Sequence, residues 1–362
     1  MRRLYIISWS VALIAAACFW YVRPATTFRS AERAPVPKDW LQNEAKPLTP
    51  AEHIRTPDQT YLTYPEWFLV FGPAEYAESM RTRTATRFPL TTHIHQAWES
   101  YAAVSDQIVG TYPPNDEYNT MIKVINTSST FEFGIKAAYE EVIGRITDVG
   151  PGTIATEEDR FAARFAQEYI DVIYYVPWYE FDFIKQTKTL WSEVPWFGAH
   201  PLRKLERRFF LTSELLTKAV YGWALSQAAL FAYGKPLMVT YVVLDRAPSG
   251  KMEGVTIKQT YPDGSVLAEW PRYGPFTPLA IETARQGVAF REIAGNRTAI
   301  LISAVGPADW QPTGKAVSLF SQPIPTKPGQ SRWAIATPVA NLHTTLKRMA
   351  DDGLSVEHVF DF

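Results

Sequence analysis

The stretch from Leu4 to Val22 carries no charge, and it is bounded by Arg2 and Arg3 before it and by Arg23 and Pro24 after it. As a helix its 19 residues span about 28 Å, close to the hydrocarbon thickness of a bilayer. The arginine pair predicts a cytoplasmic N-terminus, with the bulk of the chain extracytoplasmic, on the periplasmic side in a bacterial cell. Two other readings compete. Ala15-Ala16-Ala17 offers small residues at a signal-peptide cleavage point. Cys18 directly after them resembles a weak bacterial lipoprotein signal, although Ala15 stands where the usual leucine would be. The apolar run continues through Phe19-Trp20-Tyr21-Val22, where a cleaved leader turns polar. Residues 1–23 are therefore read as an uncleaved single-pass signal anchor, with membrane contact through residues 4–22. All three readings export the rest of the chain.

No later stretch matches it. The segment 209–233 is apolar, but Glu214, Lys218 and Gln227 recur through it. It reads as an amphipathic helix packed in protein.

Residues 24–60 are polar and proline-rich and read as an extended tether. Residues 61–234 read as a mostly helical domain. Pro65 and Pro73 are placed to open helices, Leu90 to Val109 is one helical run, and Thr156 with Asp159 forms a capping signal. Leu205, Phe209, Leu216, Val220, Trp223 and Leu230 recur at helical spacing and are read as an inward stripe. After Pro236 the period changes from 3.6 to 2, and Tyr261-Pro262-Asp263-Gly264 marks a hairpin. Residues 235–362 therefore read as an α+β domain, with strands and helices in the order of a ferredoxin-like split βαβ unit. No internal repeat at solenoid periods is visible.

Composition narrows the function classes. With 36 Lys+Arg against 37 Asp+Glu, the chain lacks the basic field of a nucleic-acid binder. Its single cysteine excludes an intramolecular disulfide framework and a Cys-based zinc cluster. Walker, dinucleotide and Gly-x-Ser-x-Gly motifs are absent, and no cofactor is assigned.

Three clusters remain as candidates. His93, His95 and Glu99 are possible metal ligands, but on a helix only His95 and Glu99 are adjacent. Glu180 and Asp182, set among aromatics, are the candidate catalytic carboxylates. Arg203, Lys204, Arg207 and Arg208 form a basic knot suited to lipid headgroups or an acidic partner. Together these readings point to an extracytoplasmic protein that binds or scaffolds at the cell envelope. The alternatives are a hydrolase using Glu180 and Asp182, metal-assisted through the histidines, and a carrier of an apolar ligand or lipid.

Overall fold

A computed structural model describes residues 35–41, 46–233 and 237–361, with side chains of the last long helix described to residue 227. The signal anchor at 4–22 and Cys18 lie outside the described residues. The chain is mixed α+β, about half helical, with two four-stranded antiparallel sheets in its C-terminal part. Its described residues divide into two compact units: a helical one from 68–95 and 125–233, and a sheet one from 35–41, 46–67, 96–124 and 237–361.

The helical unit takes α2 (Phe68–Met80), the start of α3 (Leu90–Ile108), most of α4 (Asp116–Tyr139), α5 (Glu157–Ile173), α6 (Phe183–Ser192) and α7 (Pro201–Tyr233). Thr156 caps α5 as the sequence indicates: its hydroxyl accepts from the Asp159 N–H, and the Asp159 carboxylate accepts from the Thr156 N–H. Phe161, Phe165, Phe181, Phe183, Leu190, Leu211 and Leu215 make its core. Neither Pro65 nor Pro73 opens a helix. Pro65 sits near the end of α1 (Gln59–Glu66), and Pro73 lies inside α2.

The sheet unit is a duplication. Strands β1 (Val239–Leu244), β2 (Thr256–Thr260), β3 (Val266–Pro271) and β4 (Phe290–Ile293) form one sheet in the order β2-β3-β1-β4. Strands β5 (Ala299–Pro307), β6 (Val317–Pro323), β7 (Gln330–Pro338) and β8 (Ser355–Val359) repeat it as β6-β7-β5-β8. Helix α8 (Phe276–Arg285) joins β3 to β4, and α9 (Leu342–Asp351) joins β7 to β8. The registers coincide. Val242 faces Ala268 and Ile293, and Ile302 faces Ile335 and Val359. The register shift after Val243 recurs after Ser303, and that between Ile257 and Gln259 recurs between Ser318 and Phe320. One core serves both halves, with Trp270, Phe276 and Phe290 packed alongside Ile302, Ile335 and Leu346. The sequence led us to expect the two helices over one sheet. They instead serve two sheets, because each helix returns the chain to the far side of its own module's first strand.

The two helices also end alike. Gly287 and Gly353 adopt φ of 65° and 77°, and the following Val288 and Leu354 N–H groups bond back to Thr283 and Met349. A Cβ at Gly353 would meet nothing within 4 Å, and one at Gly287 only the Arg246 guanidinium at 3.8 Å. Gly287→Ala and Gly353→Ala are therefore each expected to cost about 1 kcal/mol of backbone strain. Chemical denaturation checks this, and the two losses should be similar.

Part of the proline-rich stretch is not a free tether. The Leu48 and Thr49 N–H groups donate to the buried Glu292 carboxylate, at 3.0 and 2.7 Å, and Arg297 pairs with it at 2.7 Å. The Arg55 N–H donates to the Ala294 carbonyl. A buried carboxylate needs such donors, so residues 48–55 are held against β4.

Candidate functional site

Helix α7 is inverted. Its first turns present Arg203, Lys204, Arg207 and Arg208 inward, at 2, 5, 3 and 3% exposure. Leu205, Phe209, Val220 and Trp223 face outward, at 64, 66, 70 and 68%. The basic knot is thus no open surface for headgroups, because carboxylates of the same unit consume it. Arg203 bonds Asp159 through Nη2 at 2.8 Å and Nε at 3.1 Å, and its Nη1 reaches the Gly144 carbonyl. Glu158, fully buried, takes Lys204 Nζ at 2.8 Å and Arg208 Nη2 at 2.6 Å. Arg207 bonds Glu140 at 2.7 Å and also Glu206. Burial pulls the Arg207 guanidinium down, but Glu206 and Glu140 more than restore it, so its affinity for the proton rises.

A π-helical turn, Glu140–Gly144, continues α4 and delivers Glu140 to this network. A Cβ at Gly144 would strike the Glu140 carboxylate and force it to shift.

Two helices carry the outward apolar residues. Helices α4 and α7 run antiparallel, as their contacts show. Glu132 meets Lys218 at 2.8 Å, Lys136 meets Glu214 at 3.0 Å, and Tyr139 stacks on Phe210 at 4.3 Å. Phe131 and Ile135 each precede an α7-facing residue by one position, and Leu202, Phe209 and Val220 do the same on α7. One residue is a rotation of about 100°, and in an antiparallel pair the same rotation brings both stripes to the same side. Val142 and Ile146 extend the α4 stripe, and Leu216 lies in the α7 one; all are exposed. Trp191, in the last turn of α6, and Trp196 after it stand edge to face at 5.0 Å, with Phe197 at 94% exposure. The result is a face two helices wide, apolar outside and charged inside. No protein family matches the chain, and neither the curated proteins nor the solved structures contain a significant match.

The other candidates from the sequence do not converge. Asp182 is the N-cap of α6 and accepts the Lys185 N–H at 2.8 Å, while Glu180 lies exposed in a short 3-10 turn. His93 is buried, 3.2 Å from the Glu75 carboxylate and stacked on Phe88 at 4.8 Å. Glu99 accepts from Gln322 at 3.2 Å. Helix α3 holds both histidines, so they diverge as helical spacing requires, and among the described residues no group of three ligands can hold a metal.

One cleft of the helical unit holds charge. Lys136 sits over the Tyr76 ring at 4.3 Å and Lys218 over Tyr169 at 4.7 Å, with Glu214 between them. Burial pushes the Tyr169 hydroxyl up to about 12. Burial opposes the Glu214 charge, but the two lysines outweigh it and hold the carboxyl below its usual range. The cleft's free volume of about 40 Å³ suits a few waters. Ligand pockets run to roughly 300–1,000 Å³, so this cleft does not serve an apolar-ligand carrier.

The sequence reading missed the outward face by taking the α7 stripe for core. The periodicity gives the stripe but not the side that faces inward. The counter-charges Glu140, Glu158 and Asp159, distant in sequence, decide it.

Proposed function

We propose that the chain is a single-pass, membrane-anchored extracytoplasmic protein whose helical unit rests its apolar face on the lipid surface, forming a binding or scaffolding platform at the cell envelope. The observation that carries this reading is the inversion of α7. A helix that buries its arginines and exposes leucine, phenylalanine, valine and tryptophan follows the rule of proteins in contact with lipid. The Leu4–Val22 stretch supports it by bringing a membrane-length apolar run to the chain, and Trp223 on the outward stripe suits an interfacial position. Among the described residues no helix is long and apolar enough to cross a membrane, which agrees with a face that lies on the bilayer. A partner helix alone would leave much of a face two helices wide uncovered. We further read each sheet module as an elaborated ferredoxin-like split βαβ unit.

The test introduces charge into the face. Leu205→Glu/Val220→Glu in the full chain should leave thermal stability nearly unchanged, since both residues are exposed. It should markedly increase release of the helical unit to protease in vesicles. Equal protease protection in the variant and the parent would contradict the proposal.

A further inference from the structure

The loop between α2 and α3 reads Arg81-Thr82-Arg83-Thr84-Ala85-Thr86-Arg87, three arginines without an acid. Its threonines and arginines part to opposite sides. Thr84 and Thr86 are buried, and their hydroxyls meet at 2.8 Å. The Thr86 hydroxyl donates to Asp148 Oδ2 at 2.9 Å, and the same oxygen accepts the Gly152 N–H at 3.0 Å. The Thr84 N–H donates to the Gly152 carbonyl. Gly152, with φ of 78°, lies under the Arg87 stem, which a Cβ there would strike. The loop is thus pinned to residues 148–153, and Arg81, Arg83 and Arg87 stay exposed on its outer side.

Helix α5 continues this basic surface. Arg81 reaches Gln167 at 2.8 Å, and Arg160, Arg164 and Gln167 recur at helical spacing along one stripe. That stripe lies opposite Phe161, Phe165, Ala166 and Ile170, which α5 buries. Helix α7 is on the buried side, because Glu158 and Asp159 hold its arginines. The exposed arginines therefore face away from α7 and from the apolar stripe that α7 turns outward.

The acids of α5 do not neutralise them. Glu157 pairs with Arg160, Asp171 accepts from Gln167, and Glu168 accepts from Gln186. Glu78, three residues before Arg81, is the remaining acid beside the loop. Among the described residues Arg83 and Arg87 make no ion pair and no side-chain hydrogen bond, and Arg164 only approaches the Phe161 ring, at 5.9 Å. No large apolar side chain is exposed within residues 81–87 or 148–171. The surface thus offers charge without the apolar anchors of a protein interface or the aromatic platforms that stack nucleic-acid bases.

We propose that Arg81, Arg83, Arg87 and Arg164 bind an acidic polysaccharide, a hydrated polymer that carries carboxylates and no apolar side chains. Guanidinium forks pair bidentately with carboxylates, and a loop already held by its threonines loses little freedom on binding. The choice of a polysaccharide rests on the extracytoplasmic reading proposed above. The helical unit then holds lipid on one side and polymer on the other.

Polygalacturonate is the probe, titrated calorimetrically into the full chain in phosphatidylcholine nanodiscs, with uncharged dextran beside it. Saturable binding of polygalacturonate alone is expected, weakening as salt is raised. Arg81→Gln/Arg83→Gln/Arg87→Gln should weaken it at least about tenfold, with an unchanged thermal melt because all three side chains are exposed. Arg285→Gln/Lys315→Gln/Lys347→Gln removes the same charge from exposed positions of the sheet unit and should change binding less than about twofold. Protease protection of the lipid-facing side is measured without polymer, so either reading can fail alone. Absence of saturable binding, or equal losses in the two triple variants, would overturn the proposal. Tighter binding of polyglutamate or single-stranded DNA would overturn it too, by assigning the arginines to a protein or nucleic-acid partner.

Discussion

Glu158→Ala is expected to destabilise the helical unit by about 3–5 kcal/mol. The Glu158 side chain is wholly buried and holds Lys204 and Arg208 together, at 2.8 and 2.6 Å. Its removal leaves two cations that can reach no water, and the desolvation of an unpaired buried charge exceeds any gain from the smaller side chain. Arg208 keeps the carbonyls of Val194 and Pro195, and its guanidinium lies 4.3 Å from the Trp196 ring centroid. Lys204 is left with less, so it should dominate the loss. Glu157→Ala, one residue away and paired with Arg160 at the surface, is the control and should change stability by less than about 1 kcal/mol. Denaturant unfolding of both variants measures the difference. A loss at Glu158 no larger than at Glu157 would mean that the inward charges of α7 are solvated.

Asp361→Asn should stabilise the protein at alkaline pH, by on the order of 2 kcal/mol. Burial is the main cause that raises this carboxyl to about 7, against the opposing pull of Arg272 and Arg55. The folded state thus prefers the protonated form. That preference contributes its full stability below the unfolded carboxyl's pKa of about 3.9. The contribution is lost as pH rises from there through the folded value near 7. The amide resembles the protonated acid, so wild type and variant should melt together near pH 4 and diverge steadily up to pH 8. Melting curves across that range check the sign, and a gap that closes as pH rises would contradict it.

Local chemistry made much of this fold legible. The Thr156–Asp159 cap and the Asp263-Gly264 hairpin act through neighbouring residues, and each stands where the sequence places it. The duplication stayed hidden because α8 and α9 share little beyond the Ala284/Ala350 and Gly287/Gly353 pairs. What the two modules repeat is strand register and bulge position, which many apolar sequences satisfy. The candidate sites were harder to read for the same reason. Arg203 to Arg208 look like a solvated patch until Glu140, Glu158 and Asp159 arrive from elsewhere in the chain. Arg272 and Asp361 are far apart in sequence, and only folding brings them to 3.7 Å.

What covers the outer face of α7 decides whether the helical unit rests on lipid. A nitroxide on Val220→Cys, in a Cys18→Ser background, reports this in the full chain reconstituted into vesicles. Collisions with dissolved oxygen are expected well above those with an aqueous nickel chelate, and the reverse for a label on exposed Asp309→Cys in the sheet unit. Free access of the chelate to the label at position 220 would contradict it.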